Sequence, residues 1–217
     1  MTSFDETSYK VAEFLLQIKA VKLQPENPFT WASGWKSPIY CDNRKTLSYP
    51  SIRTYIRQQF VNAINHQFAK PDVIAGVATG GIAPGVLVAQ ELGLPFVYVR
   101  SEAKKHGLTN MIEGDIEKGQ SVVVIEDLIS TGGSSLKAVE ALREKGCVVK
   151  GMAAIFTYGF DVAANNFKNA KCELTTLTNY STLINVALDK GYINESDLAS
   201  LNAWRSSPDT WDQSVIK

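Results

Sequence analysis

Residues 122–135, VVVIEDLISTGGSS, decide the fold. Val122, Val123, Val124 and Ile125 form an unbroken apolar run, the mark of a strand buried on both faces as in a parallel sheet. Two adjacent carboxylates, Glu126 and Asp127, follow at the C-terminal edge expected for that strand. Leu128 and Ile129 lead to Ser130, Thr131, Gly132, Gly133 and Ser134, and then to a helical period with Leu136, Val139 and Leu142 inward. Small residues let backbone approach an anion, and a helix N-terminus offers unpaired N–H groups at the positive end of its dipole. Hydroxyl acceptors thus stand one step from a phosphate cradle, an arrangement that suits a phosphorylated sugar.

Other phosphate-binding patterns fit less well. A Walker A loop needs Lys before its Ser/Thr, whereas Gly133 is followed by Ser134. A dinucleotide fingerprint has three spaced glycines, and here two are adjacent and the carboxylates precede the turn. The strand and glycines alone would suit an ordinary strand–turn–helix with a polar lip. The acidic pair argues otherwise, because neighbouring carboxylates repel and need donors or cations close by.

Outward from this element the chain alternates. Val11, Phe14, Leu15 and Ile18 predict a helix over 8–20, and PENPFTWASGWKSPIYCDNR (25–44) reads as irregular or short-strand structure. Tyr49-Pro50-Ser51 opens a long helix that ends before Pro71. Strands are predicted at Val73–Val77, Phe96–Val99, Ser121–Ile125, Val148–Phe156 and Leu174–Leu177. Helices are predicted at Pro84–Leu92, Gly133–Lys145 (with Gly146 as its C-terminal glycine) and Asp161–Phe167. A polar loop runs from Lys104 to Lys118, and Ser181–Trp211 is helical with interruptions. Strands alternating with helices mean an α/β domain around a largely parallel sheet.

The 217 residues, 45% hydrophobic, suit one globular domain with a sizeable core. Lys plus Arg and Asp plus Glu number 22 each, so no global basic field draws in nucleic acid, and any anion site is local. Cys41, Cys147 and Cys172 are odd in number and lack metal-ligand spacing, which fits reduced thiols in the cytoplasm. The polar N-terminus has no signal-peptide pattern, and no apolar stretch reaches the ~20 residues that span a bilayer.

Further segments bear on chemistry. VIAGVATGGIAP (73–84) repeats the strand–turn–helix design at Ala78-Thr79-Gly80-Gly81, and a ligand phosphorylated at two ends needs two such turns. VRSEAKKHGLTNMIEGDIEKG (99–119) sets Arg100, Lys104, Lys105 and His106 at the head of a long loop; loops of that length in compact domains are usually functional or disordered, and a solvated basic turn is the plain alternative. Mobile cations there would stabilise charge on a leaving group. In FTWASGWKSPIYCDN (29–43), Trp31, Trp35 and Tyr40 offer flat apolar surface, although core packing is the expectation for Trp31.

The 122–135 pattern resembles the phosphoribosyl-diphosphate (PRPP) motif of the type I phosphoribosyltransferases. With Phe29–Asn43, Arg100, Glu102-Ala103-Lys104 and His106-Gly107, the resemblance narrows to the members that act on orotate, and it weakens past about residue 150. It implies a type I phosphoribosyltransferase-like α/β fold in which helices flank a central, mostly parallel five-stranded sheet. One domain would span 1–217, with a small hood from about 20–48, a core from about 50–180 and a C-terminal helical segment from about 181–217. By the same resemblance Glu126 and Asp127 hold the ribose hydroxyls, and Leu128, Ile129, Ser130, Thr131, Gly132, Gly133 and Ser134 wrap the 5′-phosphate. Thr79 and Gly80 would grip the diphosphate next to a non-proline cis bond at Ala78–Thr79. Arg100, Lys104 and His106 would meet the leaving group, with Lys104 and His106 as the catalytic pair, and Ser130, Lys36 and Tyr40 would meet orotate.

The resemblance further implies Mg2+ held mainly by ligand oxygens and waters and a homodimer with shared sites. The balanced charge and the lack of a long apolar stretch point to neither nucleic acid nor membrane as partner. The implied product is orotidine 5′-phosphate. One branch of the family has cations where this chain has Ala32, Ser101 and Thr79-Gly80, and an arginine where it has Phe156-Thr157-Tyr158-Gly159, which reads as a subtype. Two alternatives stand beside this reading: a type I transferase for another base, and a non-catalytic regulator that senses PRPP or nucleotides.

Overall fold

Runs of apolar residues flanked by glycine or polar turns become strands, and amphipathic stretches become the helices that cover them. The computed structural model describes residues 3–31, 34–100 and 111–211. In chain order the elements are α1 (Ser3–Gln17), β1 (Val21–Leu23), β2 (Phe29–Thr30), β3 (Lys36–Ser37), β4 (Ile39–Cys41), α2 (Pro50–Gln67), β5 (Val73–Val77), α3 (Ile82–Leu92) and β6 (Phe96–Val99). Then come β7 (Ile112–Glu113), β8 (Ser121–Ile129), α4 (Gly133–Glu144), β9 (Val148–Thr157), α5 (Asp161–Asn169), β10 (Leu174–Asn179), α6 (Tyr180–Asp189) and α7 (Leu198–Ser206).

The central sheet has the order β10-β9-β8-β5-β6-β7. The five expected strands are parallel to one another, and β7 adds a sixth, antiparallel to β6, at the edge. Two residues carry no local period, so β7 could be found only from its partner. Helix α1 is shifted toward the N-terminus relative to the predicted 8–20, and Lys19, in the left-handed region at φ 55°, follows its end. Gly146 follows α4 at φ 90°, as a C-terminal glycine should.

Strand β8 extends to Ile129, so the acidic pair lies within the strand rather than after it. Its pairing with β5 ends at Gly76 and Ile125, whereas pairing with β9 continues to Ile129 and Thr157. Glu126 and Asp127 therefore sit where β8 has lost one neighbour and the sheet opens.

The core follows the strand alternation. Val123 and Ile125 join the side covered by α1, α2, α3, α6 and α7, while Val122 and Val124 join the side covered by α4 and α5. Leu136, Val139 and Leu142 bury the inward stripe of α4, each contributing roughly 1.5–3 kcal/mol relative to exposure. Hood residues form two small antiparallel pairs, β1 with β4 and β2 with β3. The C-terminal segment packs on the chain's own core. The fully buried Trp204 ring lies 5.5–5.7 Å from those of Phe160, Tyr158, Tyr180 and Trp31. Trp31 is thus the core residue expected, and its indole N–H donates to the Ile39 carbonyl at 3.2 Å.

Candidate functional site

The two strand-to-helix turns and the hood converge on one cavity of about 490 Å³. Val77 to Gly80 close one side, Glu126 to Leu128 the floor, and Ser130, Thr131, Gly132 and Ser134 the other side. Period-two alternation turns the neighbouring carboxylates to opposite faces of β8. Glu126 faces α4, where the Ser135 hydroxyl donates to its Oε2 at 2.8 Å, and its Oε1 accepts from the Asp127 backbone N–H at 3.0 Å. Asp127 lies against the Thr79-Gly80 turn, where a Cβ added to Gly80 would collide with its carboxylate. Only glycine permits that approach.

Electrostatics at this pair are unfavourable by construction. Glu126 is 6% exposed. Burial, and then the charge of Asp127, push its carboxyl up to about 8, against a smaller opposing effect of the Ser135 hydrogen bond. Asp127 is also raised, chiefly by burial, with Glu126 hydrogen bonding and the nearby Arg44 guanidinium acting the other way. Two neighbouring acids whose proton affinities are both raised invite a ligand that brings hydroxyl donors or a cation.

The phosphate-type turn is preformed. Gly132 adopts φ 81° directly before α4, and a side chain there would press on the Phe167 ring at 2.7 Å. The first-turn N–H groups of α4 stand at the cavity's end, a favourable position for an anion. The Ala78–Thr79 peptide is cis.

Not all the expected residues meet here. The Ile129 side chain is buried in the core, and its carbonyl accepts from Tyr158 N–H at 3.2 Å. Gly133 begins α4 without lining the cavity. Arg100 stands outside the lining, with Nη1 3.4 Å from Glu113 Oε1. Lys36 donates to Thr30 Oγ1 at 2.8 Å within the hood, and the exposed Tyr40 packs on Phe29 at 5.7 Å; neither lines the cavity. Lys104 and His106 lie outside the described residues. Among the described residues no cluster of three or more His, Cys, Asp or Glu could hold a metal ion, and no helix is long and apolar enough to cross a membrane.

Sequence reasoning passed over Cys41, Asp42, Arg44 and Ser135, all of which line the cavity. Arg44 is held by Asp42 at 2.7 Å, and Asn43 Nδ2 donates to the Asp127 carbonyl at 2.6 Å, tying the hood to the acidic strand. The polar run Asp42-Asn43-Arg44 after an aromatic segment was the available signal. The Cys41 thiol is pushed well up by burial and by the Asp127 and Asp42 charges, which makes it a poor nucleophile.

Comparison with known proteins agrees with this geometry. Residues 48–186 match the phosphoribosyl transferase domain family. The chain is 64% identical over 201 residues to an orotate phosphoribosyltransferase of Bacteroides thetaiotaomicron, covering 93% of this chain and 95% of that protein. It is 56% identical over 202 residues to one of Listeria innocua, covering 93% and 97%. The crystal structure of orotate phosphoribosyltransferase from Aeropyrum pernix superposes with a TM-score of 0.74 at 29% identity, covering 85% of this chain and 99% of that one. With that cavity at its sheet edge and this degree of identity along most of its length, the chain belongs to the orotate phosphoribosyltransferases of the phosphoribosyl transferase family.

Proposed function

We infer that the protein transfers the 5-phosphoribosyl group of PRPP to orotate, forming orotidine 5′-phosphate and diphosphate for pyrimidine nucleotide synthesis. The observation that carries this reading is the pair Glu126 and Asp127, poised as hydroxyl acceptors between two backbone turns suited to anions. The ribose hydroxyls would donate to the two carboxylates. The turn from Leu128 to Ser134 and the α4 N-terminus would take the 5′-phosphate, and the Thr79-Gly80 turn the diphosphate.

The reaction is a substitution at the anomeric carbon. A ring nitrogen of orotate, giving up its proton to the departing diphosphate or to water, forms the new bond to that carbon as the bond to the diphosphate oxygen breaks, and the electron pair leaves with diphosphate. Positive charge develops on the sugar, and negative charge on the departing group. The fold's contribution is to align two anionic reactants and stabilise the leaving oxygens. Lys104 is our candidate for the main cation, with His106 and Arg100 assisting.

The acidic pair in the cavity fits Mg2+ held mainly by diphosphate and ribose oxygens and by water. Bound in that way, Mg2+ would neutralise leaving-group charge. Free Cys41, Cys147 and Cys172 support a reducing, cytoplasmic setting. The family resemblance supports a homodimer in which the 100–106 cations serve a neighbouring site, which sedimentation at micromolar concentrations would test.

Loss of orotate absorbance on mixing the protein with PRPP and magnesium, compared with adenine, guanine and uracil, tests the assignment. Turnover of a purine without turnover of orotate would refute it.

A further inference from the structure

We propose that Arg205, on α7, pairs with the carboxylate of the accepting base and so sets specificity for an acidic ring. The proposal rests on the orotate reading above and adds a residue to it. An anionic base needs a cation, and among the described residues the first cavity is a poor place to find one. Asp42, Glu126 and Asp127 line it, and its Arg44 is already held by Asp42 at 2.7 Å.

A second cleft of about 630 Å³ adjoins the first, and Thr131 lines both. A ring seated there would stand directly beside the sugar-phosphate turn. Trp35 from the hood, half-buried, gives the cleft flat aromatic surface, the largely buried Phe160 just before α5 backs its wall, and Arg205 gives it a cation. Arg205 Nη1 donates to Ser181 Oγ at 3.0 Å and Nη2 to the Gly159 carbonyl at 3.3 Å. Both acceptors are neutral, so they orient the guanidinium without cancelling its charge. Among the described residues no carboxylate forms an ion pair with it. Two of its five N–H donors are used, which leaves enough for a bidentate carboxylate.

The surroundings hold this geometry. Gly159 has φ 68°, and an added Cβ would lie 3.2 Å from Nη2, so the backbone leaves room for the guanidinium. Neighbouring Trp204 is fully buried and fixes α7. Asp161 and Asp209 also line the cleft but are exposed. They disfavour a polyanion more than a single carboxylate matched to Arg205. The assignment also gives a chemical role to a helix beyond the 48–186 family match.

The test compares orotate with its uncharged methyl ester. For Arg205→Ala, the KM for orotate should rise about 10- to 100-fold, the range for losing a charge-assisted hydrogen-bonded pair. The inhibition constant of the methyl ester and the KM for PRPP should each move less than about threefold, since neither contact involves the lost charge. Arg205→Lys should recover part of the loss, and Arg205→Gln carries the same comparison should the alanine variant fold poorly. A wild-type protein inactive on orotate would remove the functional reading itself. With an active wild type, equal weakening of orotate and ester would reduce Arg205 to a scaffold residue, and an unchanged orotate KM would overturn the proposal outright.

Discussion

PRPP binding should release a proton from Glu126. In the free protein its carboxyl is pushed up to about 8 by burial and by Asp127, so at pH 7 only about one molecule in eleven carries the charge. Ribose hydroxyls donating to the carboxylate favour the ionised form. Binding at pH 7 must therefore expel about 0.9 proton, at a cost of about 1.4 kcal/mol. Apparent affinity should fall about tenfold for each pH unit below 8 and level off above 9. Calorimetry in buffers of different ionisation enthalpy measures the proton directly. The 5′-phosphate of PRPP titrates near pH 6 and adds its own dependence. The informative quantity is therefore the difference between wild type and Glu126→Gln at fixed magnesium. The variant should lose the proton release, bind about tenfold more weakly at pH 9 for want of a charged acceptor, match wild type near pH 7 and bind about tenfold more tightly than wild type at pH 6. Identical proton counts and parallel pH profiles for the two proteins would refute the reasoning.

The same group has an opposite signature in stability. Its folded value of about 8 lies above the ordinary 4.5. Its contribution is therefore fully present below pH 4.5 and is lost as pH rises through 8. The whole effect is bounded at about 5 kcal/mol. Glu126→Gln should accordingly match wild type in urea melts at pH 4 and exceed it at pH 9.

Gly80→Ala forces a methyl group onto the Asp127 carboxylate. It should raise the PRPP KM at least about tenfold, while a melting curve shows little change because the turn lies at the surface of the cavity. Trp204→Ala removes a fully buried ring touching four other aromatics and should cost about 3–5 kcal/mol by denaturant titration. Lys104→Ala should slow turnover by an order of magnitude or more with the melting temperature unmoved, as expected when a contact to transition-state charge is lost. Unchanged kcat would take Lys104 out of the chemistry.

What could be read locally was read well. Val73–Val77 and Phe96–Val99 match the predicted bounds because each is an apolar run between polar or glycine turns. Strand β8 was seen only to Ile125, since two acids in succession look like a strand end. What continues the strand is β9, paired through Thr157, and nothing near Glu126 in sequence announces that partner. The hood pairs and β7 were hidden for the same reason, being two- or three-residue strands defined by distant neighbours. In the site, the turn residues were legible from their small size and order. Asp42, Arg44 and Ser135 were not, because the Asn43–Asp127 contact and the approach of α4 to Glu126, rather than any motif, bring them into the cavity. Arg205 is farther still, delivered by the packing of Trp204.

The placement of the acids inside a strand explains how a chain of zero net charge builds so acidic a site. On a helix, adjacent residues diverge by about a quarter turn and cannot both be held beside two separate turns of backbone. On a loop they would relax into water, and their proton affinities would return toward ordinary values. Within β8 the preceding Val122–Ile125 are fully buried, so the backbone carrying the acids is fixed before they emerge. Alternation then gives Glu126 to the α4 face and Asp127 to the hood face, and the early end of β5 opens both to a single cavity. The raised proton affinities are the energetic trace of that confinement. A ligand with neighbouring hydroxyls relieves it, which makes the least comfortable part of the folded chain its most selective.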